Sequence, residues 1–296
     1  MPFRERFDCL WCGRPWTTRG SEDLEGWAQL CPDCLGKAGT NEFLRLRLRA
    51  GIEERTATKP PVATATRATP PERARTMIDY YEARAPEYDD WYLRRGRYAH
   101  GPIHDAAWNA ELDAAGRWLD ALPLGPRIVE LAAGTGWWSP LLAAKGELSA
   151  YDAAPATLDL ARDRLLAHGL RAHLHVRDAW ADPEGPPADA LFVGFWVSHV
   201  ERDRLGAFLG LAGRWLHPGG RFAMIDSLPD DASGAVDHPA VVDELSVRRL
   251  ADGREFEIVK VHYTPEELAT ALTGAGFRDV AVTTTGRFFV LATAVR

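Results

Sequence analysis

The stretch Val129-Glu-Leu-Ala-Ala-Gly-Thr-Gly-Trp-Trp138 indicates an α/β fold, because a short apolar strand is followed directly by a glycine loop. The strand is predicted to begin at Arg127, and a helix is predicted from Trp138 to Lys145. In open α/β sheets the ligand binds at the carboxyl ends of the strands, over the first glycine loop. The stretch therefore predicts a nucleotide-like ligand at this loop.

Strand-like and helix-like segments alternate through the rest of the chain. Strands are predicted at 127–131, 147–152, 172–176, 188–196, 221–226 and 288–294, and helices at 155–168 and 202–215. A late helix begins at Thr264, with Pro265 at the first helical position and Glu267 completing a capping box. This alternation predicts the α/β class, with a doubly wound, mostly parallel sheet that carries helices on both faces.

Three acidic residues at successive strand ends constrain the charge of the ligand. Glu130 lies inside the first strand, Asp152 ends the second and Asp178 follows the third. A dinucleotide would bring a doubly negative pyrophosphate, and its fingerprint would have a third glycine where this chain has Ser139. Acids at these positions suit a positively charged ligand without phosphate. S-adenosylmethionine fits, because its sulfonium and ammonium outnumber its one carboxylate.

Residues 127–226 resemble the class I S-adenosylmethionine-dependent methyltransferases in an ordered set of motifs. The motifs are E-L-A-A-G-T-G (Glu130 to Gly136), Y-D (Tyr151, Asp152), R-D-A-W (Arg177 to Trp180) and L-H-P-G-G (Leu216 to Gly220). The segment from Tyr80 to Tyr92 is similar to the helical lid of small-molecule members, so the resemblance covers residues 76–296. It implies a Rossmann-like, seven-stranded sheet and methyl transfer from S-adenosylmethionine.

The resemblance also implies roles for individual residues. Gly134 and Gly136 would let the backbone approach the methionine part of the cofactor, and Glu130 would face its ammonium group. Asp152 would accept hydrogen bonds from both ribose hydroxyls, and Asp178 would bind the adenine amino group. The other predicted cofactor contacts are Ala132, Ala179, Trp180, Trp196 and Tyr81.

Two of these contacts carry a further expectation. Ala132 stands where the family usually has its first glycine, and an alanine is expected there only with a negative φ. Tyr81, together with Tyr88, is expected to cover the cofactor sulfonium with its ring face. The loop is therefore predicted to differ slightly from that of other members while still binding the cofactor.

The methyl acceptor is predicted to lie beside the residues after the fourth strand, Phe195 to Val200. His199 is the candidate general base, because an imidazole titrates near neutral pH, and packing at the strand end is its alternative role. Walls are expected from aromatic residues of the lid and from the segment 228–260. No N-P-P-Y motif, expected of enzymes that methylate nucleobase amines, occurs in the chain. We therefore expect a small, apolar or aromatic acceptor with a hydroxyl, an amine or a nucleophilic carbon.

All four cysteines fall in the first 34 residues, as the pairs Cys9/Cys12 and Cys31/Cys34. Two pairs of this spacing complete a tetrahedral four-cysteine zinc site, in which sulfur fills every position and the metal is structural. A redox dithiol and a pair of disulfides are the alternatives, but the first needs one pair only and the second needs an oxidising compartment. The pattern predicts a zinc-ribbon-like module with one Zn²⁺.

The domain boundaries follow from these assignments. Residues 1–56 are predicted to form the zinc module and a helix at 41–50, and 57–72 form a linker rich in alanine, threonine and proline. Residues 73–296 form the methyltransferase domain, with a helical lid at 73–126 and the catalytic core at 127–296.

Charge and hydropathy limit the partners and the compartment. The net charge is −7, and residues 61–296 carry 25 basic against 33 acidic residues, which disfavours nucleic acid as a partner. An RNA methyltransferase that binds RNA through the zinc module is the alternative function, and a cofactor-binding protein without transferase activity is a third. The charged start at Met1–Arg6 and the lack of an apolar run of about 20 residues predict a cytoplasmic protein without membrane spans.

Overall fold

The computed structural model describes residues 6–8, 15–17, 70–239 and 241–296. The chain divides into two units, Met1–Arg67 and Ala68–Arg296. In the first unit, strands β1 (Arg6–Asp8) and β2 (Pro15–Thr17) pair antiparallel. The four cysteines and the helix predicted at 41–50 lie outside the described residues.

The second unit is built on a seven-stranded sheet. Its strands, with one hairpin outside the sheet, are β3 (Arg127–Leu131), β4 (Glu147–Asp152), β5 (His173–Val176), β6 (Ala188–Gly194), β7 (Leu216–Ser227), β8 (Leu245–Arg249), β9 (Glu255–Val259), β10 (Arg278–Thr284) and β11 (Phe289–Val295). The order across the sheet is β10-β11-β7-β6-β3-β4-β5, and β8 pairs only with β9. Strands β3 to β7 are parallel, whereas β11 runs antiparallel to both of its neighbours.

Helices cover both faces of the sheet, as predicted. The helices are α1 (Pro70–Arg84), α2 (Asp89–Tyr92), α3 (Pro102–Ala121), α4 (Ser139–Ala143), α5 (Pro155–Ala167), α6 (Leu205–Trp215) and α7 (Pro265–Gly274). Successive side chains of a strand point to opposite faces. Thus Ile128 packs in the cluster that contains α3, while Val129 packs in the cluster that contains α6 and α7. The predicted mostly parallel α/β sheet is confirmed.

Three features of the fold differ from the sequence prediction. Strand β10 was not predicted, because it is an edge strand whose residues are mostly exposed and polar, so it lacks the apolar pattern of the central strands. The hairpin β8–β9 was not predicted either, and it lies in the segment 228–260. Helix α1 begins at Pro70, inside the stretch assigned to the linker, because proline suits the first turn of a helix as well as it suits a linker.

The capping box of α7 has the predicted form. The Thr264 hydroxyl accepts a hydrogen bond from the Glu267 backbone, and the Glu267 carboxylate accepts one from the Thr264 backbone. In the described part of the chain, none of the helices has both the length and the apolar character of a membrane span.

Candidate functional site

The loop after β3 lies where the strand order reverses between β3 and β6. In such sheets this position opens a crevice at the carboxyl ends of the strands. Ala132, Gly134 and Gly136 all have positive φ, of 52°, 54° and 70°. The expected negative φ for Ala132 is therefore wrong. A backbone hydrogen bond of 3.0 Å from Ala133 to the carbonyl of Tyr151 ties the loop to β4 and holds this conformation, which costs an alanine about 1–2 kcal/mol.

The two glycines of the loop, Gly134 and Gly136, lie close to different parts of the chain. A Cβ at Gly136 would lie 2.7 Å from the Cβ of Ala161, so this glycine lets α5 approach the loop. A Cβ at Gly134 would lie 3.0 Å from the Tyr88 hydroxyl, on the side of the crevice. Gly134 lines the cavity described next and Gly136 does not. The close approach of α5 requires a glycine at Gly136, and the predicted cofactor contact of Gly136 stays a prediction.

The crevice contains a cavity that is partly open to solvent. Most of the predicted site residues line it: Tyr81, Ala132, Gly134, Asp152, Asp178, Ala179, Trp180, Trp196 and His199. Three further residues that line the cavity were not predicted from the sequence: Arg73, Glu201 and Arg204. Arg73 and Glu201 form an ion pair of 2.5 Å. The Arg204 guanidinium lies 4.0 Å from the Trp180 ring centroid. Nothing in the local sequence around these three residues marked them, because α1 and the start of α6 meet only in the folded chain.

Backbone groups fix the two aspartates of this cavity, Asp152 and Asp178. The Asp152 carboxylate accepts hydrogen bonds from Ala154 N at 2.9 Å and from Gly134 N at 2.8 Å. Burial raises the pKa of Asp152, and these two backbone bonds oppose the rise. The Asp178 carboxylate accepts a bond from Trp180 N at 2.9 Å. Each oxygen has a second lone pair, so both acids can also accept hydrogen bonds from hydroxyl or amino groups of a ligand.

Glu130 lies beneath the loop rather than at the cavity. Its side chain is buried and accepts a hydrogen bond of 2.5 Å from the Ser139 hydroxyl. Burial raises the pKa of Glu130 to about 8, although the bond from Ser139 opposes the rise. Glu130 does not line the cavity, and its predicted contact with the cofactor ammonium stays a prediction.

His199 is buried and bonded at both ring nitrogens. Its Nδ1 lies 2.6 Å from the carbonyl oxygen of Val259, and its Nε2 lies 2.7 Å from the hydroxyl of Tyr81. Burial, reinforced by the charge of Lys260, lowers the pKa of His199 well below its usual range. The imidazole is therefore neutral near pH 7 and oriented by both neighbours.

A second cavity adjoins the first. Four residues line both cavities: Tyr81, Tyr88, Phe195 and His199. Phe195 has a positive φ of 57° and donates its backbone N–H to Ile225 at 2.8 Å, so its ring is held at this shared wall by a strained backbone. Strain of this kind is often found at ligand sites.

The lid and the segment 228–260 supply the other walls of the second cavity. From the lid come Tyr80, Arg84, Trp91 and Tyr98, and from the other segment come Ser233, Gly234, His238, Arg248, Ile258 and Lys260. The β8–β9 hairpin reaches the lid through Phe256, whose ring lies 5.5 Å from that of Tyr80. Tyr92, which was also expected in this wall, instead stacks on Trp137 at 4.1 Å.

Sequence analysis missed the three cations of this cavity, Arg84, Arg248 and Lys260. They lie on three separate elements, and no motif or spacing connects them. The only available signal was the general expectation that 228–260 borders the substrate.

Comparison with known proteins agrees with this geometry. The family described as "Methyltransferase domain" matches residues 128–220. The ubiquinone/menaquinone biosynthesis C-methyltransferase UbiE of Azotobacter vinelandii is 30% identical over 187 residues, which are 55% of this chain and 70% of that protein.

Solved structures agree as well. The structure of DhpI in complex with SAH has a TM-score of 0.60 and 29% identity, covering 76% of this chain and 98% of that one. The 1,6-didemethyltoxoflavin-N1-methyltransferase of Burkholderia thailandensis has a TM-score of 0.51 at 19% identity, covering 80% and 93% of the two chains, and at that identity it shows the fold alone.

The residues present fit S-adenosylmethionine. The cavity lies over the glycine loop, a side chain at Gly134 would intrude into it, and fixed carboxylates stand at the ends of β4 and β5. The likeness to the curated relative extends over 70% of that protein, so it is one of family as well as of fold. The chain thus belongs to the class I S-adenosylmethionine-dependent methyltransferases, and the protein is an enzyme of that family.

Proposed function

We propose that the first cavity binds S-adenosylmethionine, that the second binds a small methyl acceptor, and that transfer occurs at the wall they share. The observation that carries this proposal is the set of four residues common to both cavities, Tyr81, Tyr88, Phe195 and His199. A concave site lined by aromatic side chains with a few polar groups is typical of small-molecule binding. Its rings, including those of Tyr80 and Trp91, favour an acceptor with an apolar or aromatic body.

The curated relative supports a small acceptor over RNA. That relative is a C-methyltransferase of ubiquinone/menaquinone biosynthesis, and DhpI has been solved as a complex with SAM and HEP. The excess of acidic residues over 61–296 also disfavours RNA at this domain.

We assign the cofactor contacts to the residues that the sequence singled out and that line the first cavity. Asp152 accepts hydrogen bonds from the ribose hydroxyls, and Asp178 binds the adenine amino group. Ala179 and Trp180 flank the base, and Trp196 closes the far wall. Gly134 leaves room for the methionine part, and the rings of Tyr81 and Tyr88 face the sulfonium.

S-adenosylmethionine supplies a methyl group on a positively charged sulfur. A lone pair of the acceptor would form a bond to the methyl carbon while the carbon–sulfur bond breaks. The electron pair of the broken bond would stay on sulfur, which becomes a neutral thioether. The protein contributes by aligning the two reactants and excluding water. The walls of Phe195 and Tyr88 perform this role at the point where the cavities meet.

An acceptor that carries a proton must lose it, and Tyr81 and His199 are the candidates to receive it. The acceptor proton passes to the Tyr81 oxygen as the Tyr81 proton passes to His199 Nε2, along the existing 2.7 Å hydrogen bond. The low pKa of His199 makes this transfer uphill, so an acceptor that is already deprotonated is favoured.

We also propose one structural zinc, bound by Cys9, Cys12, Cys31 and Cys34. The support is the spacing of the two cysteine pairs, since these residues lie outside the described part of the chain. Metal analysis of the purified protein should give one zinc per chain, and replacement of Cys9 and Cys31 by serine should remove it.

Radiolabelled methyl donor tests the proposed function. Purified protein is incubated with the labelled donor and a lysate of the source organism, and label is compared between extractable small molecules and acid-precipitable material. Label in an extractable molecule supports the proposal. Label in nuclease-sensitive precipitate would overturn it in favour of RNA, and cofactor binding without any transfer would favour a non-catalytic role.

A further inference from the structure

Arg84 is a buried cation without an ionic partner among the described residues. Its exposed fraction is 8%, and no hydrogen bond or ion pair joins it to any of them. Its Nε is fully buried and unbonded. The guanidinium instead lies among tyrosine rings, 4.6 Å from the centroid of Tyr88 and 5.6 Å from that of Tyr98.

The other lid arginines that are buried or half-buried, Arg73, Arg94 and Arg97, each have a carboxylate partner, unlike Arg84. Arg94 lies 3.6 Å from Asp105, and Arg97 forms an ion pair with Asp237. A buried charge without a counter-charge costs several kcal/mol, and ring faces offset only part of that cost. The Arg84 guanidinium is therefore a positive charge that no carboxylate among the described residues compensates.

Arg248 and Lys260 bring two more positive charges to the same cavity. The Arg248 guanidinium donates a hydrogen bond of 2.7 Å to His238 Nδ1, so this histidine acts as a neutral acceptor. Burial and the charge of Arg248 lower the pKa of His238 to about 4, which agrees with that role. Lys260 is buried, and its Nζ donates to the Ser198 hydroxyl at 2.9 Å.

No carboxylate lines this cavity among the described residues. Asp226 is the nearest acid to Lys260, at 4.0 Å, and both of its oxygens already accept backbone hydrogen bonds, from Ser198 and Ser227. Asp226 therefore balances at most one of the three cations. The side chains that line this cavity therefore carry a net positive charge.

We infer that the methyl acceptor carries an anionic group, a carboxylate, phosphate or phosphonate, which binds in the second cavity between Arg84, Arg248 and Lys260. Guanidinium groups match the geometry of these anions and form strong, charge-assisted hydrogen bonds with them. This inference deepens the proposed function and rests on it. It narrows the predicted apolar or aromatic acceptor to one with an aromatic or apolar body and an acidic group.

The inference is tested with anionic and neutral probes of one shape. The enzyme is saturated with S-adenosylhomocysteine and titrated calorimetrically with benzoate, phenylphosphonate and the neutral benzamide. At least one anion should bind at least about tenfold more tightly than benzamide, because each charge-assisted contact contributes more than a neutral one. Two anions that bind no better than benzamide would overturn the inference.

Variants locate the anion. Arg84→Gln should abolish the preference for the anion, and Arg84→Lys should restore part of it. Arg171→Gln, at an exposed arginine outside both cavities, is the matched control and should keep the wild-type preference. If Arg84→Gln does not fold, Arg248→Gln and Lys260→Met give the same readout. Full preference in all folded cavity variants contradicts the inference.

The same titrations separate this inference from the proposed function. Binding of S-adenosylhomocysteine is measured first for every protein. If the wild type does not bind it, the proposed function fails. If the wild type binds it and transfers label to a small molecule but shows no preference for anions, only the inference fails.

Discussion

The hydroxyl of Tyr81 lies 2.7 Å from Nε2 of His199, and the direction of this hydrogen bond follows from the tautomer of the histidine. Nδ1 of His199 lies 2.6 Å from the carbonyl oxygen of Val259. Because a carbonyl only accepts hydrogen bonds, Nδ1 carries the proton, and Nε2 accepts the proton of the tyrosine hydroxyl. The two side chains thus form an ordered pair at the wall between the cavities.

This pair predicts an unusual pH dependence of turnover. A histidine of ordinary pKa that acts as a base loses activity as the pH falls from 7 to 6, because it becomes protonated. The pKa of His199 is lowered well below 6.5, so the imidazole stays neutral across that range. We expect kcat at saturating substrates to remain constant between about pH 7.5 and 6.

Tyr81→Phe is the companion measurement. It removes the hydroxyl and keeps the ring, and kcat should fall by about 10- to 100-fold if the pair moves a proton, while the affinity for S-adenosylhomocysteine changes little. A wild-type kcat that drops between pH 7 and 6, or a Tyr81→Phe variant with full kcat, would contradict the proton-transfer role.

Asp152→Ala should weaken the binding of S-adenosylhomocysteine by at least about tenfold, the loss expected when hydrogen bonds to a charged group are removed. The two backbone N–H groups that the carboxylate now satisfies, those of Ala154 and Gly134, would also lose their partner. Calorimetric titration measures the effect. Asp159→Ala, at an exposed aspartate on α5 that forms an ion pair with Arg162, is the control. Equal affinities in the two variants would refute the assignment of Asp152 to the ribose.

Gly136→Ala should destabilise the protein by more than backbone strain alone explains. Gly136 and Gly169 have nearly the same φ, +70° and +69°, but only at Gly136 would a Cβ contact another element. Gly169→Ala should therefore cost about 1–2 kcal/mol of unfolding free energy from φ strain. Gly136→Ala should cost about 1–3 kcal/mol more, because the loop and α5 must move apart. Urea unfolding of both variants gives the comparison, and equal losses would show that the approach of Ala161 imposes no constraint.

Much of the fold could be predicted because its signals are local. The glycine loop, the apolar central strands and the capping box at Thr264 are each determined by a few neighbouring residues. Strand β10 was not predicted from the sequence, because an exposed edge strand has no apolar periodicity. The positive φ of Ala132 was not predicted, because it depends on a hydrogen bond between Ala133 in the loop and Tyr151 on β4.

The same distinction, between local sequence signals and contacts made only in the folded chain, applies to the residues of the site. The acids at the ends of β4 and β5 could be predicted, since parallel strands bring their carboxyl ends to one edge of the sheet. Sequence could not predict that Tyr81 pairs with His199, or that Arg84 lies near Lys260. These residues come together only through tertiary packing of α1 and β9. Sequence patterns thus predicted most residues that line the first cavity, but not the charged residues of the second.

The buried carboxyl of Glu130 should make the stability of the ligand-free protein depend on pH. Its pKa is raised to about 8 in the folded state, against 4.5 for the unmodified side chain. The folded protein therefore binds the proton more tightly than the unfolded chain does. By linkage, the stabilisation is full below about pH 4.5, declines as the pH rises, and is lost above about pH 8.

Glu130→Gln removes this dependence, because glutamine keeps the shape and can still bond to Ser139 but does not ionise. Relative to wild type, the variant should gain unfolding free energy steadily from pH 5.5 to pH 8.5, by up to a few kcal/mol. Urea unfolding at a series of pH values measures the difference, with Glu266→Gln at an exposed position as the control that should show no such trend. Parallel stability curves for wild type and Glu130→Gln would mean that Glu130 is already ionised in the folded protein, in which case its carboxylate would be available to an ammonium group after all.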